Sequence, residues 1–372
     1  MEVEGGTSWG GVGISWGTMS GPEDPLTNGQ IAELLAVAGD DAKPPLNRAY
    51  RRASRKALLW EEEAACLYQE GRSLTELPGV GPYLERIIRG WIEVSPIVAS
   101  PPATREKFFT LTQVRSILAG RPLWSQGVKG DLQMHSVWSD GSSSIQEMAE
   151  AGEARRYEYI AITDHSKGLK IAGGIDEKQL FHQADDIAIV NESLRRANRS
   201  IRVLRSIEVN LSPHGEVDMD LASLAKLDIV LGCFHSALRK KEDQTDRYVA
   251  ALRNPAIHIL GHPRGRIYNF REGLSADWAK VFAVAAELDK AVEIDSYPDR
   301  QDLSLDLLKL ARKAECRISI GTDAHDASQL RFIEFGLAAA LKAKIDWGRI
   351  LNFMGSNELL NWARKVKKSK NS

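Results

Sequence analysis

The sequence predicts an α/β fold, a barrel of about seven parallel strands preceded by a small all-α unit. Three observations carry that reading. From Asp131 onward, short apolar runs of strand length alternate with helical stretches. Before it, residues 28–93 show helical spacing only, around a Pro-Gly-Val-Gly turn at 78–81. All eight histidines lie between His135 and His325, and five of them fall where a predicted strand ends.

The N-terminal stretch MEVEGGTSWGGVGISWGTMSGPEDP is acidic and Gly/Ser-rich, so residues 1–27 read as a disordered arm. It lacks the cationic and apolar regions of a leader, and no apolar run has the length of a membrane span, which makes the cytoplasm the expected location. Asn28 is placed to cap a helix through Leu35. AYRRASRKALLW (49–60) follows with Arg51, Arg52, Arg55 and Lys56 grouped together, and helical spacing continues over Glu61–Glu70.

In LTELPGVGPYLERIIRGWIE (74–93), two apolar-periodic helices flank the turn. Leu77, Gly79, Gly81, Leu84, Ile87 and Ile88 together resemble a helix-hairpin-helix motif. Backbone N–H groups at the start of its second helix favour a phosphate oxygen whatever the base, so residues 28–93 are expected to bind DNA without sequence preference. Gly79, Gly81, Tyr83, Arg51, Arg52 and Arg55 are the expected contacts. A plain packing corner is the alternative. Nine Lys/Arg face ten Asp/Glu over 29–93, so binding would depend on local clusters.

Residues 94–130 read as a Pro-rich connector with one helix near 105–118 and five basic residues against Glu106 alone. It is either a solvated linker or a basic ramp facing a nucleic-acid strand. The barrel spans 131–345, with strands near 131–135, 158–163, 202–209, 227–234, 256–261, 291–296 and 317–321. Residues 346–372 form a C-terminal helix and a basic tail. The whole chain balances 49 Lys+Arg against 50 Asp+Glu, which excludes a uniformly basic nucleic-acid coat but hides the local basic stretches. Cys66, Cys233 and Cys316 share no short spacing, so neither a disulfide framework nor a thiolate zinc site is expected.

In α/β barrels, functional side chains collect at the C-terminal ends of strands. Every predicted strand but the sixth ends there in a possible metal ligand: His135 with Asp140, Asp164 with His165, Glu208, His235, His262, and Asp323 with His325. One such histidine would suggest rim packing. The full set suits two or three divalent ions of zinc, manganese or iron type rather than calcium. Clustered divalent ions polarise phosphoryl oxygens, so the expected reaction is hydrolysis of a phosphate ester. Arg264 and Arg266 are candidates for substrate phosphate, with Arg266 preferred, and Arg300 is a further one. Asp164 is expected to orient rather than ligate. His182, His214 and His258 are expected to stand outside the chemistry.

These blocks, in this order, resemble the PHP (polymerase and histidinol phosphatase) superfamily over about residues 129–345. The resemblance implies a distorted seven-stranded barrel with a trinuclear metal centre. It implies that Glu208 bridges two ions, that His135 and Asp323 complete one site, and His235 and His262 the second. Asp140, His165 and His325 would hold the third. Glu208, Asp140 and Arg266 are the residues it would make catalytic. The family's opening His-x-His is here Gln133-Met134-His135, a weaker ligand at its first position. KGDLQMHSVWSDG and DRYVAALRNPAIHILGHPRGR are similar to the C-terminal half of bacterial family X DNA polymerases, and the opening helical segment to their N-terminal DNA-binding domain. A polymerase catalytic domain would have to fit in the 37 residues 94–130, with their single acid, so polymerase activity is not expected.

Three functions follow in order of preference. The first is a DNA 3′-end phosphoesterase, a 3′–5′ exonuclease or 3′-phosphodiesterase of DNA repair. The second is a small-molecule phosphatase of the histidinol-phosphate type. The third is a non-enzymatic DNA-binding scaffold. No oligomeric state is implied, and an abasic-site lyase finds no placed amine, since Lys43 and Lys56 are the only lysines between 28 and 93.

Overall fold

The computed structural model describes residues 25–368. Most of the expected arm, residues 1–24, lies outside them. Its last residues do not belong to it: Leu26 is buried, and Thr27 caps the first helix through a reciprocal pair of hydrogen bonds with Gln30. That helix, α1 (Asn28–Asp41), therefore starts one residue earlier than a cap at Asn28 would allow. Asn28 is used elsewhere. Its Oδ1 accepts from the Ala64 amide, at the start of α3, and its Nδ2 donates to the Glu62 carbonyl.

The helical unit comprises α1, α2 (Leu46–Ala57), α3 (Ala64–Gln69) and α4 (Pro82–Val94). Its core holds Ile31, Leu35, Trp60, Leu67, Leu74 and Ile88, the positions that apolar spacing marks. Gly79 sits at φ 85, and Val80, Leu77 and Leu84 are buried around the turn. Gly81 precedes α4 as its N-cap, with Pro82 at the first helical position.

The connector departs most from expectation. Its helix α5 runs over Leu111–Ala119, capped by Thr110, and a short α6 (Pro122–Gly127) follows. Residues 104–109 are mostly half-buried, with Lys107 exposed. Arg105, about 8% exposed at its side chain, is paired with Glu33 and Asp40. Lys107 pairs with Glu106 and Asp306, Arg115 with Glu61, and Lys129 with Glu158. Four of the connector's five cations thus meet intramolecular carboxylates, Arg105 buried and the other three at the surface.

From Gly130 the chain alternates β1 (Gly130–Asp131), α7 (Ile145–Ala154), β2 (Tyr159–Ile162), α8 (Glu177–Arg196), β3 (Arg202–Arg205), β4 (Glu208–Asn210), α9 (Leu221–Leu224), β5 (Leu231–Cys233), α10 (Thr245–Arg253), β6 (Ile259–Leu260), α11 (Trp278–Glu287), β7 (Ala291–Asp295), α12 (Leu305–Lys313), β8 (Arg317–Gly321), α13 (Ile333–Lys342) and α14 (Ser356–Lys368). All pairings between named strands are parallel, in two sheets ordered β1-β2-β3 and β4-β5-β6-β7-β8. Single parallel bridges link Met134 to Ala324 and His165 to Glu208. The expected third strand is split at Ser206–Ile207, and the first shrinks to two paired residues, with Met134 joined only by its bridge.

Two apolar layers flank the strands. One, including Ile160, Val203, Leu260, Val292 and Ile318, packs under the surrounding helices. The other, including Leu132, Tyr159, Leu204, Leu231 and Ile259, is closed by Leu359, Trp362, Ala363 and Val366 of α14. The expected basic tail is therefore a structural plug as far as it is described. Lys367 donates to the Leu227 carbonyl, and residues 369–372 lie outside the described part. Among the described residues, no helix is long and apolar enough to cross a membrane.

Candidate metal centre

Glu208 is the hub. It opens β4, is fully buried, and its Oε1 lies 2.8 Å from both His235 Nε2 and His262 Nε2. Its Oε2 accepts from Gln133 Nε2 at 2.9 Å and lies 3.4 Å from His135 Nε2. His135 Nε2 also meets Asp323 Oδ1 at 3.0 Å. On the other side, Asp140 Oδ1 stands 3.4 Å from His325 Nε2, 3.6 Å from His165 Nε2 and 3.9 Å from His135 Nδ1. The His135 ring is stacked between those of His165 and His325.

The structure thus brings His135, Asp140, His165, Glu208, His235, His262, Asp323, His325 and Gln133 into one cluster. Four overlapping sets could each hold an ion: His135/Asp140/His165/His325, His165/Glu208/His235, Glu208/Cys233/His262 and His135/Glu208/Asp323. Gln133 presents its amide nitrogen to Glu208, while its Oε1 is buried without a partner.

The loops that carry these groups are built to hold them. Asp164 accepts from the Ser136 amide and from the hydroxyls of Ser136 and Ser139, so it fixes the turn that presents Asp140. His262 and Asp323 both have left-handed backbone, at φ 22 and 52, conformations that surrounding packing must impose on non-glycine residues. Outer partners set the rings: His235 Nδ1 meets Asn210 Oδ1 at 3.2 Å, and His325 Nδ1 meets the Asp323 carbonyl at 2.7 Å.

Burial opposes charge throughout, yet the cluster is strongly ionic. Burial would raise Glu208, but the His165 and His262 charges and hydrogen bonds from His135 and His235 hold it well below the usual carboxylate range. Asp323 is likewise held down against burial, chiefly by His135. Conversely, burial pulls His262 down while Glu208 lifts it, to about 9, and Asp323 with Glu208 lifts His135. His165 is the exception: burial and the neighbouring His135 charge push it down to about 4. Positive charge is thus required among these carboxylates, and protons on imidazoles supply it only by closing the ring lone pairs. The donor set is imidazole and carboxylate, and the buried His135 Nδ1 and His165 Nδ1 have no hydrogen-bond partner. Both facts fit divalent ions, whose binding would displace those protons.

Arg266 is not brought to this cluster. Its guanidinium lies 3.8 Å over the Phe108 ring and donates to the carbonyls of Arg300 and Lys107. Engaged in this way and buried, it is closed to a substrate phosphate, so the preference for it over Arg264 is corrected. Burial pulls Arg300 down, but the charges of Asp323, Asp295, Asp299 and Asp302 raise it, and its Nε lies 3.7 Å from Asp299 Oδ1. Gly79, Gly81 and Tyr83 lie on the hairpin, remote in sequence from the cluster, with Tyr83 43% exposed. Arg51, Arg52 and Arg55 form an exposed face of α2, Arg51 being paired with Asp40. Three cluster participants escaped the sequence reading: Cys233, Asn210 and Glu293, whose Oε2 accepts from the His262 amide. Asn210 lies two residues after Glu208 and Cys233 two before His235, on paired positions of β4 and β5, a period-two signal that spacing alone could have raised.

Parallel strands with histidines and carboxylates converging at their ends define a metal-dependent phosphoesterase. Residues 131–322 match the PHP domain, and the chain belongs to that family. It is a hydrolase of phosphate esters. It is 37% identical over 226 residues to the DNA polymerase/3′-5′ exonuclease PolX of Bacillus subtilis (strain 168), a match covering 60% of this chain and 39% of that one. The chain therefore spans well under half of that relative's length. It is also 27% identical over 234 residues to a probable phosphatase of Thermoanaerobacter sp. (strain X514), covering 60% of this chain and 89% of the other. Among solved structures, the histidinol phosphate phosphatase of Lactococcus lactis subsp. lactis aligns with a TM-score of 0.43 and 16% identity, over 59% of this chain and 94% of that one.

Proposed function

We propose that this chain hydrolyses phosphodiesters at DNA 3′ ends, as a 3′–5′ exonuclease or 3′-phosphodiesterase without polymerase activity. Two or three ions of zinc, manganese or iron type are held by His135, Asp140, His165, Glu208, His235, His262, Asp323 and His325, with Gln133 as a weak ligand or outer partner. Bound there, they supply Lewis-acid charge to the phosphoryl oxygens. Glu208 and Asp140 hold the two halves of the cluster in register, and Arg300 neutralises substrate charge at its edge. The strands read as a distorted seven-stranded barrel, β3 and β4 acting as one interrupted strand and the Met134–Ala324 and His165–Glu208 bridges closing the ring.

The observation that carries the DNA reading is the proximity of a basic helix to the centre. Ser54 of α2 hydrogen-bonds Tyr268, on the loop that follows His262, at 3.0 Å, and the adjacent Arg55 is exposed. The Cβ position of Gly79 comes 3.3 Å from Lys56 Cγ, so the hairpin turn and the basic face of α2 form one surface. The amides of Gly79 and Gly81 have no hydrogen-bond partner among the described residues. Read as a helix-hairpin-helix, residues 28–93 would grip backbone phosphates there.

The small-molecule reading is favoured by the probable phosphatases, which match this chain over almost their whole length. One comparison separates the two. Wild type and His235→Ala are assayed on 3′-labelled single strands and on histidinol phosphate, each with Mn²⁺ and Zn²⁺. Release of 3′ nucleotides, lost in His235→Ala, is expected. Turnover of histidinol phosphate with intact DNA ends would establish the phosphatase instead, and fewer than two bound metals with no hydrolysis would leave a DNA-binding scaffold.

A further inference from the structure

The barrel rim carries a second basic surface that belongs to neither the hairpin nor the ligand set. The loop after His235 runs Ser236-Ala237-Leu238-Arg239-Lys240-Lys241, and the loop after His262 ends in Phe270-Arg271. They meet where the Leu238 side chain packs 3.2 Å from the Cβ position of Gly265. Between them lies a cleft of about 330 Å³ lined by Arg239, Lys240, Lys241, Phe270, Arg271 and Glu272.

Three features distinguish this cleft from an ordinary solvated face. The Phe270 ring is 58% exposed, an aromatic surface held out to water. The Arg239 guanidinium lies 4.8 Å over it, and no carboxylate pairs with Arg239 or Lys240 among the described residues. Arg271 lines the same cleft, where burial and the Arg300 and Arg239 charges pull it down to about 10 against the opposing Asp302. Deeper in, Arg300 is already matched by Asp299, 3.7 Å from its Nε. The unmatched charge is therefore at the rim, on Arg239 and Lys240, with Glu272 3.8 Å from Lys241. Such a rim attracts a polyanion.

We infer that this cleft is a subsite for the single-stranded DNA leading to the hydrolysed 3′ end, with Phe270 stacking a base and Arg239, Lys240 and Lys241 neutralising the phosphates behind it. Interleaved aromatics and cations in a groove are what sequence-independent single-strand binding requires, because every base offers a π-face. The inference rests on the DNA reading above, to which it adds the strand's path.

The test measures binding and cleavage separately, with full-length protein and a fluorescent single-stranded 12-nucleotide DNA. Binding is followed by anisotropy over a salt series. Metal content on the same samples reports whether the centre is intact. Phe270→Ala should weaken binding about tenfold and leave the salt dependence unchanged. R239A/K240A/K241A should weaken it more and flatten the slope of log K against log salt by about 2, as three lost phosphate contacts imply for a single strand. Wild-type affinity and slope in both variants would overturn the subsite, even if 3′ nucleotides were still released. Patch-dependent binding without cleavage would support the subsite while refuting the exonuclease reading. Absence of DNA binding by wild type would overturn it.

Discussion

Two arginines that follow strand ends, Arg266 four residues after His262 and Arg300 five after Asp295, show how local chemistry decides a residue's role. Arg266 is capped by the Phe108 ring and by two main-chain carbonyls, so its charge serves the joint between connector and barrel. Replacing it by alanine would leave those carbonyls unpaired and remove the packing over Phe108. Arg266→Ala should therefore cost about 3 kcal/mol in urea unfolding while leaving metal content at the wild-type value. Asn210→Ala should behave in the opposite way. Its Oδ1 meets only the far nitrogen of His235, so its loss frees the ring to turn. Metal affinity, measured by competition with a chelator, should fall roughly 10–100-fold with little change in stability. The clustered histidines and carboxylates themselves were legible in the sequence, because strand-end positions converge by topology. The fate of Arg266 was not, because adjacency to His262 says nothing of a ring contributed by Phe108 from 158 positions earlier.

At the scale of elements, α14 shows how much a charged sequence can conceal. Its basic sequence reads as a tail, yet Ala363 and Val366 lie one helical turn apart and face the strands, while Lys365 is exposed and Lys367 reaches a carbonyl. Beneath α14 lies His258, fully buried, with Nδ1 accepting from the Val230 amide. Burial, reinforced by the Lys367 and Lys290 charges, pushes it down to about 3. In the unfolded chain it titrates near 6.5. Between these values the unfolded state binds a proton that the folded state refuses, so stability present above pH 6.5 drains away as pH falls toward 3. This group alone should contribute a slope of about 1.4 kcal/mol per pH unit. His258→Asn keeps an acceptor near the Nδ1 position and cannot be protonated. Urea midpoints from pH 7 to 4 should fall less steeply in that variant, and an unchanged slope would assign the acid sensitivity elsewhere. Strand lengths were also misread, for a related reason. Apolar runs continue past the last ladder hydrogen bond, and at β3–β4 the chain changes partner at Ser206–Ile207, where only Arg205 and Ser206 separate the apolar Leu204 and Ile207.

Across the whole molecule, the question is what fixes the helical unit against the barrel. A flexible tether would let residues 28–93 act as an independent grip, whereas a rigid joint sets one distance between hairpin and metal cluster. The joint is rigid on three counts. Tyr268, from the loop after β6, is buried in the helical core and hydrogen-bonds the Ser54 hydroxyl at 3.0 Å. Phe108 of the connector packs edge-on against it at 5.1 Å between ring centres. Arg105 joins all three parts, pairing with Glu33 and Asp40 of α1 and donating to Asn269 Oδ1 at 2.9 Å. No composition argument could have shown this, since the connector's cations look the same whether they meet phosphate or Glu33. Tyr268→Ala removes the aromatic that the barrel loop inserts into the helical core. It should cost about 3–5 kcal/mol, as other buried aromatic truncations do. Because the loss falls at a joint, it should also divide one unfolding transition into two, with the helical unit melting first. Calorimetry would register the split, and limited proteolysis should open new cuts between residues 94 and 107. A single cooperative transition at lower temperature, with the connector still protected, would mean that Tyr268 serves the barrel alone. If the joint does loosen, release of 3′ nucleotides from long single strands should slow more than release from short ones, because only a long strand spans hairpin and centre together.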